Sequence, residues 1–221
     1  MLTSVSLETK PGEITAIVGR SGAGKTLTLR IAAGLDRPSH GRILWKERAH
    51  QFVPLYRLAR SGLLFIPDRN FLEPTISIRT QLRMFQPTPD DASVGDIADQ
   101  LQIRQHLDAS PAVLSDGERR CAELAVALAR SPATLIVDDP FRGIDPIEVD
   151  LVAGALQKLA ARGTAVLMPG HTMNAIQRVA NRVVWIVAGT SQQFLQPELA
   201  WTNAALWQEL LGEGPRAARS G

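Results

Sequence analysis

Residues 19–26 read Gly19-Arg20-Ser21-Gly22-Ala23-Gly24-Lys25-Thr26, and this stretch decides the fold. It matches the phosphate-binding pattern GxxxxGK followed by serine or threonine at every fixed position. The apolar run 14–18 precedes it, and the helix-forming run 27–33 follows it before Gly34. This order predicts a strand, a glycine-rich loop and a helix in direct succession.

A loop of this kind binds phosphate because its glycines let successive backbone N–H groups turn inward. The N-terminal end of the following helix adds the positive end of its dipole. We therefore expect all eight residues to contact the phosphates of ATP, with Lys25 at the β- and γ-phosphates and the Thr26 hydroxyl on Mg²⁺. The alternative is a glycine-rich turn with an unrelated lysine, but the predicted strand and helix on either side favour the nucleotide site.

The composition of the 221 residues favours one α/β domain. The chain is 45% hydrophobic and 21% charged, which suits a single sizeable core. Its net charge of +2 gives little support for a nucleic-acid partner, and none is expected. One cysteine, Cys121, excludes an intrachain disulfide, as is usual in a reducing cytoplasm. No apolar run reaches the roughly 18 residues that span a bilayer, and residues 1–10 lack the pattern of a signal peptide.

A second motif, Leu114-Ser115-Asp116-Gly117-Glu118-Arg119-Arg120, opens an Ala/Leu-rich stretch that predicts a helix over about 118–129. Taken alone it is a helix start, with Ser115 as N-cap and Glu118 completing a capping box. The position of the motif favours a functional role besides starting a helix, because an apolar strand ending in carboxylates follows about twenty residues later.

That strand is the run Leu135-Ile136-Val137-Asp138-Asp139, which ends where phosphate-loop ATPases carry an aspartate directed at Mg²⁺. We assign Asp138 to the metal. Asp145 then caps a helix that runs to about residue 161, with Glu148 in a second capping box. His171 follows another apolar strand, at the edge where open α/β sheets bind ligands. We interpret it as a γ-phosphate sensor, although a histidine out of context is usually structural.

In this order the motifs resemble those of the ATP-binding subunits of ABC transporters, over about residues 2–199. Segments 54–62 and 140–146 are most similar to the branch of branched-chain amino-acid importers and lipopolysaccharide exporters. The resemblance implies an α/β fold, with a RecA-like P-loop ATPase core, an antiparallel β edge, an inserted α-helical subdomain and a C-terminal helix. The expected divisions are a core lobe at about 1–71 and 131–200, a helical subdomain at about 72–130, and a C-terminal helix and frayed basic tail at 201–221.

The resemblance also implies a mechanism. Two copies, or this chain and a different ABC ATPase subunit, would bind head to tail. Each ATP would lie between the phosphate loop of one subunit and Ser115 and Gly117 of the other, with Asp145 at the same nucleotide site. ATP would close the pair and hydrolysis would reopen it, driving membrane-embedded permease subunits. The chain would then lie on the cytoplasmic face of the cell membrane, held there through the permease.

Three positions depart from the family pattern, and one of them, Asp116, replaces a frequent glycine. Asp139 stands where a glutamate usually polarises the attacking water, and its side chain is one methylene shorter. Because a misplacement of about 1 Å can cost on the order of a hundredfold in rate, we predict slow hydrolysis, with Asp139 and His171 as the catalytic residues. Asp68 stands where a glutamine is usual. We expect it to bind Mg²⁺, and the alternative is a turn residue before Arg69.

Other function classes are a soluble ABC ATPase that acts on DNA or ribosomes, and an ATP-gated regulatory or assembly subunit. About ninety residues separate Lys25 from Ser115 without a heptad tract, which argues against the DNA-repair type. A single set of motifs argues against the two-cassette translation type. The unusual Asp68 and Asp139 favour the regulatory alternative. Transport is the preferred interpretation, and the sequence does not identify the cargo.

Overall fold

The computed structural model describes residues 2–211, so the predicted tail at 212–221 lies outside the described residues. The strands of this part are β1 (Ile14–Val18), β2 (Ile43–Trp45), β3 (Arg48–His50), β4 (Leu63–Ile66), β5 (Thr134–Val137), β6 (Ala165–Pro169), β7 (Arg182–Val187) and β8 (Thr190–Phe194). Its helices are α1 (Lys25–Ala32), α2 (Leu55–Arg60), α3 (Ile78–Phe85), α4 (Asp91–Gln100), α5 (Asp116–Arg130), α6 (Pro146–Ala161), α7 (Met173–Val179), α8 (Pro197–Trp201) and α9 (Ala204–Leu211).

One six-stranded sheet forms the centre of the molecule, with the strand order β4-β5-β6-β1-β7-β8. The first five strands are parallel to one another, and β8 pairs antiparallel with β7 at the edge. A separate antiparallel hairpin consists of β2 and β3. The predicted fold class, α/β with an antiparallel edge, is confirmed.

Helices cover both faces of the sheet, which explains why its central strands are apolar at successive positions. All five residues of β1 are buried. Ala16 belongs to the core cluster that includes α5 and α6, whereas its neighbour Ile17 packs in the cluster with Leu29 of α1. Parallel strands linked by helices bury both of their faces in this way.

The elements around the phosphate loop are confirmed with small shifts. The strand before it has the predicted bounds, but α1 begins at Lys25, two residues earlier than predicted. Lys25 and Thr26 therefore lie in the first turn of the helix. The strand β5 ends at Val137, so Asp138 and Asp139 follow the strand directly.

Three α-helices, α3, α4 and α5, lie between β4 and β5, with two short 3-10 helices at Arg104–His106 and Pro111–Val113, in the stretch for which a helical subdomain is predicted. The Ala- and Leu-rich α5 packs on α3, on α4 and on α6 of the core. Its residues from Cys121 to Ala129 are all buried, because small side chains let the neighbouring helices approach closely. The boundaries of the lobes stay a prediction.

The end of the described chain forms two short helices, where one C-terminal helix from residue 201 was expected. Trp201 ends α8, and Asn203 separates α8 from α9. The Asn203 side chain accepts a hydrogen bond of 3.0 Å from the backbone N–H of Leu206 and so starts the second helix. Asparagine favours such a start because its side chain replaces a missing backbone partner.

Candidate functional site

The phosphate loop, residues 19–26, connects β1 to α1 at the carboxyl end of the central strand. Gly19 has a φ of 150° and is buried against the neighbouring strand. A Cβ atom at this position would lie 2.4 Å from the carbonyl oxygen of Ile186 in β7. Only glycine lets the loop leave the sheet this close to another backbone.

Lys25 lies inside the phosphate loop. Its Nζ donates to the carbonyl oxygens of Gly19 at 2.7 Å and Arg20 at 3.0 Å, and the residue is 5% exposed. Burial lowers the pKa of the Lys25 amine, and the charge of Asp139 opposes this effect. The loop backbone thus holds the desolvated ammonium group of Lys25. Asp139, which follows β5, is within electrostatic reach of this group. Thr26, the next residue, is exposed.

Asp68, Asp138 and Asp139 form what we call the acidic edge. Asp138 and Asp139 follow β5, and the backbone N–H of Asp138 donates to the carbonyl of Ile66 at 2.8 Å, which extends the pairing of β5 with β4. Burial raises the pKa of Asp138, and the charges of Asp68 and Asp139 raise it further. The three carboxylates therefore converge closely enough to repel one another.

Asp139 is buried and has a left-handed backbone, with a φ of 46°. Aspartate is one of the few residues that adopt this conformation readily, because its short polar side chain can bond locally. Burial raises its pKa, while His171 lowers it and Asp68 raises it. The backbone at this position suits an aspartate better than the longer glutamate.

His171 lies two residues beyond the end of β6, which is the strand between β5 and β1 in the sheet. Burial lowers the pKa of its imidazole, the charge of Lys25 lowers it further, and Asp139 raises it. The imidazole is therefore within electrostatic reach of both the phosphate loop and the acidic edge. A lowered pKa keeps it neutral near pH 7, with one N–H donor and one acceptor nitrogen.

Asp68 pairs with its chain neighbour Arg69, whose Nε lies 3.8 Å from Oδ2, and is also held by two distant arginines that the sequence interpretation did not assign. Arg142 donates to its Oδ2 at 2.8 Å, and Arg120 donates to its backbone carbonyl at 3.1 Å. Arg120 in turn pairs with Glu123 at 2.7 Å inside α5. Two charged residues three apart in an Ala/Leu-rich helix are a signal that could have found this inner pair. Arg142 has no comparable local signal.

The two predicted capping boxes are present in the structure. Glu118 accepts a hydrogen bond from the backbone N–H of Ser115 at 2.9 Å, while the Ser115 hydroxyl accepts one from the N–H of Glu118 at 3.1 Å. Asp145 and Glu148 make the same exchange at the start of α6. The helix-start interpretation of both motifs is thus correct at the level of local structure, whatever else they do.

Gly117 has an intramolecular reason to be glycine. A Cβ atom there would lie 1.8 Å from the carboxylate of Glu148, which caps α6. The start of α5 and the start of α6 therefore touch within one chain. Gly117 lies on this contact, and the hydrogen bonds of Ser115 in the described residues join it to Glu118 and Arg119.

The oxygen atoms of Thr26, Asp138 and Asp68 suit a hard cation such as Mg²⁺. Within residues 2–211 no three His, Cys, Asp or Glu side chains form a ready metal cage. Mg²⁺ does not need one, since it usually takes one or two carboxylates and completes its shell with phosphate oxygens and water. Carboxylates that raise one another's pKa, as Asp68 and Asp139 do at Asp138, would be stabilised by a divalent cation. Thr26, Asp138 and Asp68 supply oxygen donors only.

The sequence comparisons identify relatives across most of the chain. A family model described as "ABC transporter" matches residues 2–142. The lipopolysaccharide export system ATP-binding protein LptB of Acidithiobacillus ferridurans is 31% identical, over 82% of this chain and 78% of that protein. The protein of the same name from Escherichia coli K12 is 29% identical, over 90% of this chain and 88% of its own length.

Solved structures agree on the fold. A nucleotide-free ATP-binding cassette from an ABC transporter superposes with a TM-score of 0.80 at 17% identity, covering 96% of this chain and 93% of that one. The dimeric post-hydrolysis state of the cassette MJ0796, bound to ADP and Pi, gives 0.76 at 22% identity, covering 88% and 90%. In residues 2–211 of this chain, no helix is both long and apolar enough to cross a membrane.

Proposed function

The chain belongs to the ABC transporter family as an ATP-binding ATPase subunit, and we propose that it drives a membrane-embedded permease through ATP-dependent head-to-tail pairing. One observation carries the proposal. The consecutive strands β4, β5, β6 and β1 each end in one part of the site: Asp68, the Asp138–Asp139 pair, His171 and the phosphate loop. Parallel strands bring their carboxyl ends to a single edge, where α/β sheets bind ligands.

We infer that the phosphate loop binds the triphosphate of ATP through its inward backbone N–H groups and Lys25. The Lys25 amine is already desolvated on the loop carbonyls, so phosphate oxygens need only replace the contacts to Gly19 and Arg20. Thr26, Asp138 and Asp68 are the oxygen donors proposed for Mg²⁺. Mg²⁺ bound together with ATP would neutralise negative charge on the phosphate oxygens.

In the hydrolytic step we propose that Asp139 accepts a hydrogen bond from the attacking water and that neutral His171 donates one to the γ-phosphate. The raised pKa of Asp139 favours proton acceptance, and the lowered pKa of His171 leaves a neutral donor. The short side chain of Asp139 makes this step slow. Ser115 and Gly117 of a second subunit would contact the nucleotide from the other side, with Asp145 at the same interface.

The partners that follow are permease subunits on the cytoplasmic face of the membrane and a second ABC ATPase subunit, identical or different. Support comes from the relatives, which are named as ATP-binding proteins of lipopolysaccharide export systems, and from the dimeric MJ0796 structure. The cargo of those relatives is not assigned to this chain, because membrane subunits select the substrate in this family. Nucleic acid is not proposed as a partner.

The test is to purify the tagged chain from gently solubilised native membranes and to identify by mass spectrometry what comes with it. We expect a polytopic permease in fixed ratio. The Lys25→Ala variant should keep this permease but lose ATP-dependent pairing of the ATPase subunits in analytical ultracentrifugation, and Lys10→Ala, an exposed lysine outside the site, should behave as the unmodified chain. Recovery with ribosomal or nucleic-acid proteins, or with nothing, would instead favour a soluble ATPase or a regulatory subunit.

A further inference from the structure

Besides its exposed chain neighbour Arg69, whose Nε lies 3.8 Å from Oδ2, the carboxylate of Asp68 faces an arginine from each of two separate elements. Arg142, in the turn between β5 and α6, donates from Nη1 to Oδ2 at 2.8 Å. Arg120, in α5, has its Nη2 3.9 Å from Oδ1 and donates to the Asp68 carbonyl at 3.1 Å. These contacts join residues 74 and 52 positions apart in the sequence. The segment after β4 is thereby tied both to α5 and to the turn before α6.

The two arginines differ in their freedom to move. The Arg120 side chain is 6% exposed and is held by Glu123, which is 3% exposed. Breaking a buried pair of this kind leaves an uncompensated charge, so Arg120 stays in place. The Arg142 side chain is 55% exposed, and Asp68 is its carboxylate partner among the described residues. An exposed ion pair contributes little free energy, so Arg142 is displaceable.

Asp68 also belongs to the acidic edge. Its charge raises the pKa of Asp138 and of Asp139, whereas Arg120 and Arg142 lower both. Arg142 therefore neutralises the same cluster of carboxylates that a divalent cation would neutralise. A guanidinium and a hard cation both prefer carboxylate oxygens and both add positive charge, so the two compete at Asp68, where Arg142 holds Oδ2.

We propose that Arg142 is a displaceable counterion that competes with the metal of the nucleotide for Asp68. It holds Asp68 when nucleotide is absent and is released from it when the metal–nucleotide complex binds. This proposal rests on the nucleotide site of the proposed function, and it adds a residue that tunes metal affinity. Release of Arg142 from Asp68 also removes the ion pair that ties the turn before α6 to the segment after β4. Glu148 of α6 contacts Gly117 at the start of α5.

The test is a double-mutant cycle that measures how far Mg²⁺ strengthens the binding of a fluorescent ATP analogue to the full chain. The measured quantity is the ratio of dissociation constants with chelator and with Mg²⁺. Arg142→Gln should raise this ratio about fivefold, since it removes a competitor held by one partly exposed pair. In the Asp68→Asn background the same substitution should have no effect. Arg178→Gln removes an exposed arginine paired with Asp150 outside the site and should leave the ratio unchanged.

An unchanged or lowered ratio in Arg142→Gln would overturn the proposal, and so would an increase that persists in Asp68→Asn. Arg142→Lys keeps the charge without the guanidinium fork and should give an intermediate ratio, which guards against a folding defect in the glutamine variant. Failure of the unmodified chain to bind the analogue at all would instead overturn the proposed function together with the counterion. The two failures are therefore distinct.

Discussion

The phosphate loop and the acidic edge lie at the carboxyl ends of strands in one sheet, yet they are built in opposite ways. The loop is a continuous run of eight residues that holds Lys25 on the carbonyls of Gly19 and Arg20. The acidic edge takes Asp68 from the end of β4 and two aspartates from the end of β5, and it needs arginines from α5 and from the turn before α6. A site made of backbone can be local, whereas a site made of like charges needs counterions from elsewhere in the fold.

This difference has consequences for substitution. A change in the loop should act through backbone geometry and affect nucleotide binding first. A change at the acidic edge should act through charge and reach, and affect rate or pH dependence while binding persists. The following substitutions separate these two kinds of effect.

The largest effect is expected within the loop. Gly19→Ala should weaken ATP binding by roughly a hundredfold, or about 3 kcal/mol, because its Cβ would overlap the Ile186 carbonyl and shift the loop. Gly22→Ala is the matched control, since its Cβ would meet nothing within 4 Å and only its φ of 81° is strained. It should cost about tenfold or less. If the two variants lose the same ATP affinity and both keep the circular dichroism spectrum of the unmodified chain, the close approach of Gly19 to β7 does not matter for ATP binding.

The next effects are expected on the rate of hydrolysis, at the acidic edge. Asp139→Glu should raise the rate of phosphate release about tenfold by restoring reach to the water, with ATP affinity unchanged. The left-handed backbone at residue 139 disfavours glutamate, so the Asp139→Glu variant should have a free energy of unfolding about 1 kcal/mol lower than the unmodified chain. Asp139→Asn tolerates the backbone but loses the charge, and should slow release about a hundredfold. A glutamate variant as slow as the unmodified chain, or slower, would contradict the proposed role of side-chain length.

The smallest effect concerns the support of the acidic edge and is measured as stability against pH. Burial raises the pKa of Glu123 from 4.5 to about 7 despite Arg120 beside it. The folded state then holds the proton more tightly than the unfolded state, so the stability that Glu123 contributes is present below about pH 4.5 and falls as the pH rises through about 7. Between about pH 5 and about pH 8 the unmodified chain should lose at least about 1 kcal/mol relative to Glu123→Gln in urea unfolding. A difference that stays constant, or grows with pH, would mean that the charged pair with Arg120 outweighs burial.

Much of the fold was predictable because its signals are local. The strand–loop–helix around residues 19–26, the apolar strand before Asp138 and both capping boxes follow from backbone conformation and from hydrogen bonds three residues apart. The order of these motifs also predicted the family, which the comparisons confirm. The break between α8 and α9 was missed because helical spacing continues across it, while the Asn203 side chain starts a new helix.

The sequence by itself determined the strand–loop–helix around the phosphate-loop motif, which strands end in carboxylates and where two helices begin, since each depends on residues that are neighbours in the chain. Only the tertiary structure decided that Asp68 is neutralised by Arg142 and that Gly117 makes room for Glu148. Those contacts join distant segments and depend on how α5, α6 and the sheet pack. The physical reason is that a backbone conformation is encoded residue by residue, whereas a counterion is set by whatever the packed fold brings within a few ångströms.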